Sequence, residues 1–211
     1  VSEKRRPVNP RGQGGRLRQE ILDAAVVLLG RAGSEDGVTL RDIARQAGIA
    51  APSIYSHFTD RAAVIDAVVV ESFAELKAVA HTAADGVDSP ADRLRALCAA
   101  YVRFGREQPG RYRILFEASQ QEAAKRQPAA NGAAAFAGLT AALADCVADG
   151  SSSSTDPTLD ATTLWLALHG LVVLPRATPA FAWPATEALL DRIILTTAHL
   201  TGPPERAPAT T

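Results

Sequence analysis

The chain has 211 residues, 47% of them hydrophobic and 21% charged, with a formal net charge of -1. That is the composition of a soluble globular chain, with apolar content for one sizeable core or two small domains. Charged residues interrupt its apolar stretches before they reach the roughly 18 residues of a membrane span, so no membrane partner is expected.

The N-terminal stretch VSEKRRPVNPRGQGGR is basic and rich in proline and glycine. It has no apolar core of the kind a secretory signal needs. Residues 1–61 hold ten Lys and Arg against seven Asp and Glu, net +3, and the remaining residues hold twelve against sixteen, net -4. The positive excess is densest in the first 18 residues, where Lys4, Arg5, Arg6, Arg11, Arg16 and Arg18 face only Glu3. A basic arm over residues 1–15 suits a polyanion.

Helical periodicity dominates the chain beyond this arm. In RLRQEILDAAVVLLGRAG, residues Leu17, Ile21, Ala25, Leu28 and Leu29 make one apolar stripe, with Gly33 as a C-cap. In TLRDIARQAG, Thr39 followed three residues later by Asp42 has the spacing of a capping box, and Leu40, Ile43, Ala44 and Ala47 form the inner face. Gly48 stops that helix after barely two turns. A second short helix is expected from about Ala50 to His57, with Pro52 tolerated in its first turn. Thr59 or Asp60 then caps a long helix from Arg61 to about His81.

Further helices are expected over SPADRLRALCAAYVRFGREQP, PGRYRILFEASQ, GAAAFAGLTAALADCVAD, TLDATTLWLALHGLVVL and PATEALLDRIILTTAHL. Residues 127–132 read as a loop, GSSSSTDP as a mobile low-complexity linker, and 202–211 as a disordered tail. Cys98 and Cys146 have no CxxC or CxxH spacing and read as reduced, buried small hydrophobes, with no metal site. No alternating strand pattern is sustained. The expected fold class is all-α, with about nine helices.

Two short helices separated by a glycine turn have the length and pattern of a helix-turn-helix. Ile43, Ala44 and Ile54 can pack them together. Ala50, Ala51, Ser53 and Ser56 are then the outward small residues that let the second helix approach a groove floor, and Pro52, with Thr39 and Arg41 from the first helix, joins the candidate contacts. Tyr55, His57 and Arg61 offer hydroxyl, imidazole and guanidinium donors to phosphate oxygens. With Arg5, Arg6 and Arg11 of the arm, these are the candidate contacts to double-stranded DNA.

This arrangement resembles the DNA-binding domain of the tetracycline-repressor (TetR) family of bacterial regulators. The likeness runs from about Arg16 to Val70, through Ile21, Ala24–Ala25, Thr39–Ile43, Ala47–Gly48, Ile54–Tyr55, His57–Phe58 and Asp60–Arg61. The chain departs from the family's pattern at Ala50, usually a small polar cap, and at Arg61, usually lysine. Farther on, QPGRYRILFEAS and Trp165-x-x-x-His169-Gly170 resemble the branch named for its Trp-His-Gly motif.

The resemblance implies a DNA-binding domain over residues 16–61 and a helical effector-binding and dimerisation domain over 62–201. It implies a cytoplasmic homodimeric repressor, released from a near-palindromic operator by a small, largely apolar effector. No cofactor is implied. Tyr101, Phe104, Tyr112, Phe116, Phe136, Trp165 and His169 are the candidate effector-pocket residues. Gly170 costs roughly 1 kcal/mol in a helix against alanine, for which close approach of another helix is the usual return. Leu168, Leu171 and Val172 beside it, with Leu190, Ile193 and Ile194, are the expected dimer interface. An activator of the same fold, a helix-turn-helix turned to protein contact, and a helical enzyme using His169 are the alternatives. The enzyme reading leaves residues 16–70 unexplained.

Overall fold

The computed structural model describes residues 14–32, 37–116 and 129–201. The basic arm with Arg5, Arg6 and Arg11, the Gly33 cap and the 202–211 tail lie outside them. All the regular elements among the described residues are helices: α1 (Gly14–Ala32), α2 (Leu40–Gln46), a 3-10 helix (Ala51–Ser56), α3 (Arg61–Ala84), α4 (Pro90–Glu107), α5 (Pro109–Phe116), α6 (Ala129–Ala148), α7 (Pro157–Ala177) and α8 (Thr186–Thr197). The chain divides into two compact units, residues 1–73 with 108–129, and 74–107 with 130–211.

The first unit is built on one apolar cluster. Ile21, Leu22 and Ala25 of α1 meet Ile43 and Ala44 of α2, Ile54 of the 3-10 helix, and Val64, Ile65 and Val68 of α3. Ile114 of α5 belongs to the same cluster. The sequence reading divides the chain between residues 61 and 62, with the family likeness running on to about Val70, and gives no sign that α5 joins this cluster. Two features seat α5 here. A Cβ on Gly30 would lie 2.7 Å from the Gly110 Cα, so α1 and α5 approach at a point where both residues lack side chains. The largely buried Arg111 guanidinium sits 3.2 Å from Glu71 Oε1 and 3.7 Å from Asp23 Oδ1, and donates to the buried Ser72 hydroxyl at 3.3 Å. Only the arginine end is largely buried, with Glu71 27% and Asp23 58% exposed, so the pairing adds little net stability and serves to orient α5 on α1 and α3.

In the second unit α4 packs against α7 and α8, and α7 and α8 pack on each other. Leu94, Cys98 and Phe104 of α4, Leu143 and Cys146 of α6, and Leu164, Leu168 and Val172 of α7 are buried there. Both cysteines are unbridged, and burial, with Cys146 adding a little, pushes the Cys98 thiol up to about 12. They are inert core residues, as their isolated spacing suggests.

Two expectations change. The helix α6 begins at Ala129, through most of the expected 127–132 loop. The serine run is not a slack linker. Ser152 and Ser154 are buried, Ser152 Oγ donates to Ala198 O at 2.7 Å, and Ser154 Oγ donates to Asp160 Oδ2 at 2.6 Å. Backbone bonds from Ser153 N–H to His199 O and from Thr201 N–H to Ser151 O complete the join. Short hydroxyl side chains reach these acceptors without displacing apolar neighbours. By length and composition α7 is apolar enough to cross a membrane, with a mean hydropathy of 1.3 over its most apolar window, although Asp160 and Arg176 interrupt it as the sequence reading expects. Its inner side chains are buried against α4 and α8 of its own unit.

A candidate nucleic-acid interface

The expected capping box forms at the start of α2. Thr39 Oγ1 accepts from the Asp42 N–H at 3.2 Å, and Asp42 Oδ2 accepts from the Thr39 N–H at 3.1 Å and from its hydroxyl at 2.6 Å. Arg45 closes on Asp42 Oδ1 at 2.6 Å. Arg41 is exposed on the same short helix. At the other end the chain turns through Gly48, whose φ of 66° lies in the left-handed region. The Gly48 N–H donates to Arg45 O and the Ile49 N–H to Ala44 O. This is the Schellman pattern, for which glycine is the unstrained residue.

The second element departs from expectation in kind. Residues Ala51–Ser56 form a 3-10 helix, with Ser53 N–H bonded to Ala50 O and His57 N–H to Ile54 O. Ala50 gives no side-chain cap, and Pro52 lies in the first turn, where its missing N–H costs no helix bond. Ile54 alone points fully inward. Ala50, Pro52 and Ser56 are exposed, Ala51, Ser53 and His57 half-buried, and Tyr55 is 62% exposed. Asp60 then caps α3, accepting from the Ala63 N–H at 2.8 Å, and Arg61 opens that helix. Of the two caps the sequence allowed, Asp60 is the one used.

A family profile described as "Bacterial regulatory proteins, tetR family" matches residues 21–68. A second, "Tetracyclin repressor-like, C-terminal domain", matches residues 94–197. Together they span most of the chain. The chain belongs to the TetR family. Its two domains are those of a DNA-binding transcriptional regulator. It is 40% identical over 57 residues to the tetracycline repressor protein class D of Escherichia coli, a match covering 27% of this chain and 26% of that one. It thus aligns with about a quarter of the length of that curated relative. The TetR-family regulator PfmR of Thermus thermophilus is similar in fold, with 19% identity, a TM-score of 0.66, and 87% and 100% of the two chains covered. So is the fatty acid degradation regulator FadR of Bacillus halodurans, with 15% identity, a TM-score of 0.74, and 90% and 97% covered.

The TetR-family C-terminal portion places the expected pocket residues in two groups. Trp165 Nε1 donates to Tyr101 Oη at 3.2 Å, and the Trp165 ring lies 6.2 Å from both Phe136 and His169. Phe104 is buried in the same unit. Tyr112 and Phe116 belong to the first unit, where they stack at 4.8 Å and Phe116 meets Phe73 edge-on at 6.1 Å. The described cavity in the second unit, about 260 Å³, lies elsewhere, between Arg106, Pro175, Arg176, Trp183 and Leu189. Sequence reading missed Trp183, because in TPAFAWP it reads as turn punctuation.

The expected dimer residues also divide. Leu168, Leu171, Val172, Leu190 and Ile194 are buried within the chain, where they hold α7 and α8 together, and Ile193 is half-buried. Gly170 is different. A Cβ there would meet only Leu174 Cδ1, at 3.8 Å. On its side of α7 stand Leu159, Leu166 and Leu174, which are 60%, 61% and 48% exposed.

Proposed function

We propose that this chain is a homodimeric repressor acting in the bacterial cytoplasm, released from a near-palindromic operator by a small, largely apolar ligand. The observation that carries the DNA half of this reading is the turn at Gly48 followed by an outward face of small residues ending in the exposed Tyr55. Ala50, Ala51, Pro52 and Ser53 let the backbone approach a groove floor. Thr39, Arg41, Tyr55, His57 and Arg61 grip the phosphates on either side. One such short element reads too few base pairs. Two of them, held roughly 34–36 Å apart by a dimer, read successive major-groove faces.

Self-association is supported by α7. Leu159, Thr163, Leu166, Gly170 and Leu174 recur at helical spacing on one side, and the three leucines are exposed in the single chain. A glycine with open space above it, on an apolar helix face, accepts close approach of a partner helix. The buried set around Leu168 supports that face from behind.

Control by ligand is supported by the aromatic group Tyr101, Phe136, Trp165 and His169, which offers apolar surface with few polar points. Its place in the Trp-His-Gly branch rests on Trp165, His169 and Gly170. The helix α3 contributes residues to both compact units. A ligand favouring one arrangement of it needs only about 1.4 kcal/mol of coupling for a tenfold loss of DNA affinity.

Selection from a random duplex pool tests the whole reading. Enrichment of a two-fold symmetric sequence, bound by two chains in sedimentation, is expected. A pool that stays unenriched overturns it.

A further inference from the structure

We propose that Arg18, on α1, is a further phosphate-gripping residue of the DNA interface, positioned by the ring of Phe58. The inference rests on the DNA-binding reading and adds an element that the helix-turn-helix does not contain.

Arg18 is exposed, and its sequence neighbours one turn away are Gly14, Gly15, Ile21 and Leu22, none of them acidic. The acids of α1 are engaged by other groups. Glu20 pairs with Arg16 at 3.1 Å, and Asp23 accepts from Gln19 at 3.2 Å and lies 3.7 Å from Arg111. The Arg18 guanidinium lies over the ring of Phe58, with its Cζ 5.2 Å from the ring centroid. Phe58 is only 6% exposed, and its N–H is bonded to Ile54 O at 2.9 Å. The ring therefore sits rigidly at the end of the 3-10 helix, between His57 and the Asp60–Arg61 start of α3.

An aromatic face attracts a guanidinium without consuming its N–H groups, so the fork stays available for bidentate pairing with a phosphate. Holding the side chain on a ring also removes part of the entropy that a free arginine would lose on binding. A solvated arginine with no role would not need this placement. Phe58 directly follows His57 and stands three residues before Arg61, so a guanidinium held on its ring belongs to the same stretch as those candidate phosphate contacts.

The test uses the full chain and two duplexes, one carrying the sequence recovered by selection and one unrelated in sequence. Anisotropy titrations run from about 50 to about 200 mM potassium chloride. Arg18→Gln is expected to weaken both duplexes, and to flatten the log–log salt dependence by about 0.9 for each chain bound, at unchanged Tm. Arg18→Lys should keep most of the salt slope while losing the fork. Phe58→Leu, which keeps apolar bulk without the ring, should lower affinity and leave the slope intact. A wild-type slope in Arg18→Gln on both duplexes overturns the proposal, as does a loss of affinity that follows a loss of Tm. Wild-type protein binding neither duplex would instead overturn the DNA reading and the proposal with it.

Discussion

Asp42 touches more of the DNA-facing element than its size suggests. Hydrogen bonds from the Thr39 hydroxyl, then from the Thr39 backbone N–H, hold its carboxyl below the ordinary carboxylate range, and Arg45 helps. A folded-state pKa below the unfolded value means stability that is present above the unfolded pKa, about 3.9, and lost as pH falls through the folded one. Asp42→Asn should therefore lower Tm at neutral pH, and the gap from wild type should shrink as pH drops below about 4. A gap that stays constant in thermal melts down to that acid range would show that the charge is not what caps α2. The capping box was legible in the sequence because both its partners lie within three residues. Arg18 was not, since its place on Phe58 depends on two helices being folded against each other.

The helix α5 shows what periodicity conceals. Its own pattern correctly marks it as a short helix after Gln108, but nothing local says that it joins α1. That docking depends on two glycines eighty residues apart and on an arginine whose partners are Glu71, Ser72 and Asp23. The glycines are not equivalent. A methyl on Gly30 would collide with backbone at 2.7 Å, whereas one on Gly110 meets nothing closer than Val26 O at 3.4 Å. Gly30→Ala should cost about 1–3 kcal/mol by forcing the helices apart. Gly110→Ala should be near neutral, with helix propensity returning up to about 1 kcal/mol. Equal Tm losses in calorimetry would mean that the close crossing is not what seats α5. The 3-10 helix is a similar case at shorter range. Its location and inward residue are readable from the sequence, but not its 3-10 winding.

At the scale of the whole molecule, the proposed self-association rests on the surface of α7. Leu166→Glu places a charge on its exposed apolar side and should shift sedimentation from dimer to monomer, with loss of specific DNA binding and little change in single-chain folding. Leu168→Ala, two residues on, should do the reverse, leaving a cavity that costs about 2–5 kcal/mol while the surviving folded chains still associate. A dimer that persists in Leu166→Glu would move the interface off this face. The sequence marked α7 through Gly170 and its leucines, but a run apolar nearly all round does not say which side the chain keeps for itself. The serine segment bears on the same helix. Because residues 151–154 are stitched to 198–201, and Asp160 near the start of α7 receives both Ser154 and His199, the two ends of the α7–α8 hairpin are laced into one seam. Peeling the chain back past Leu200 would therefore unpick the beginning of α7 as well as the end of α8, so the hairpin frays as a unit from its open side.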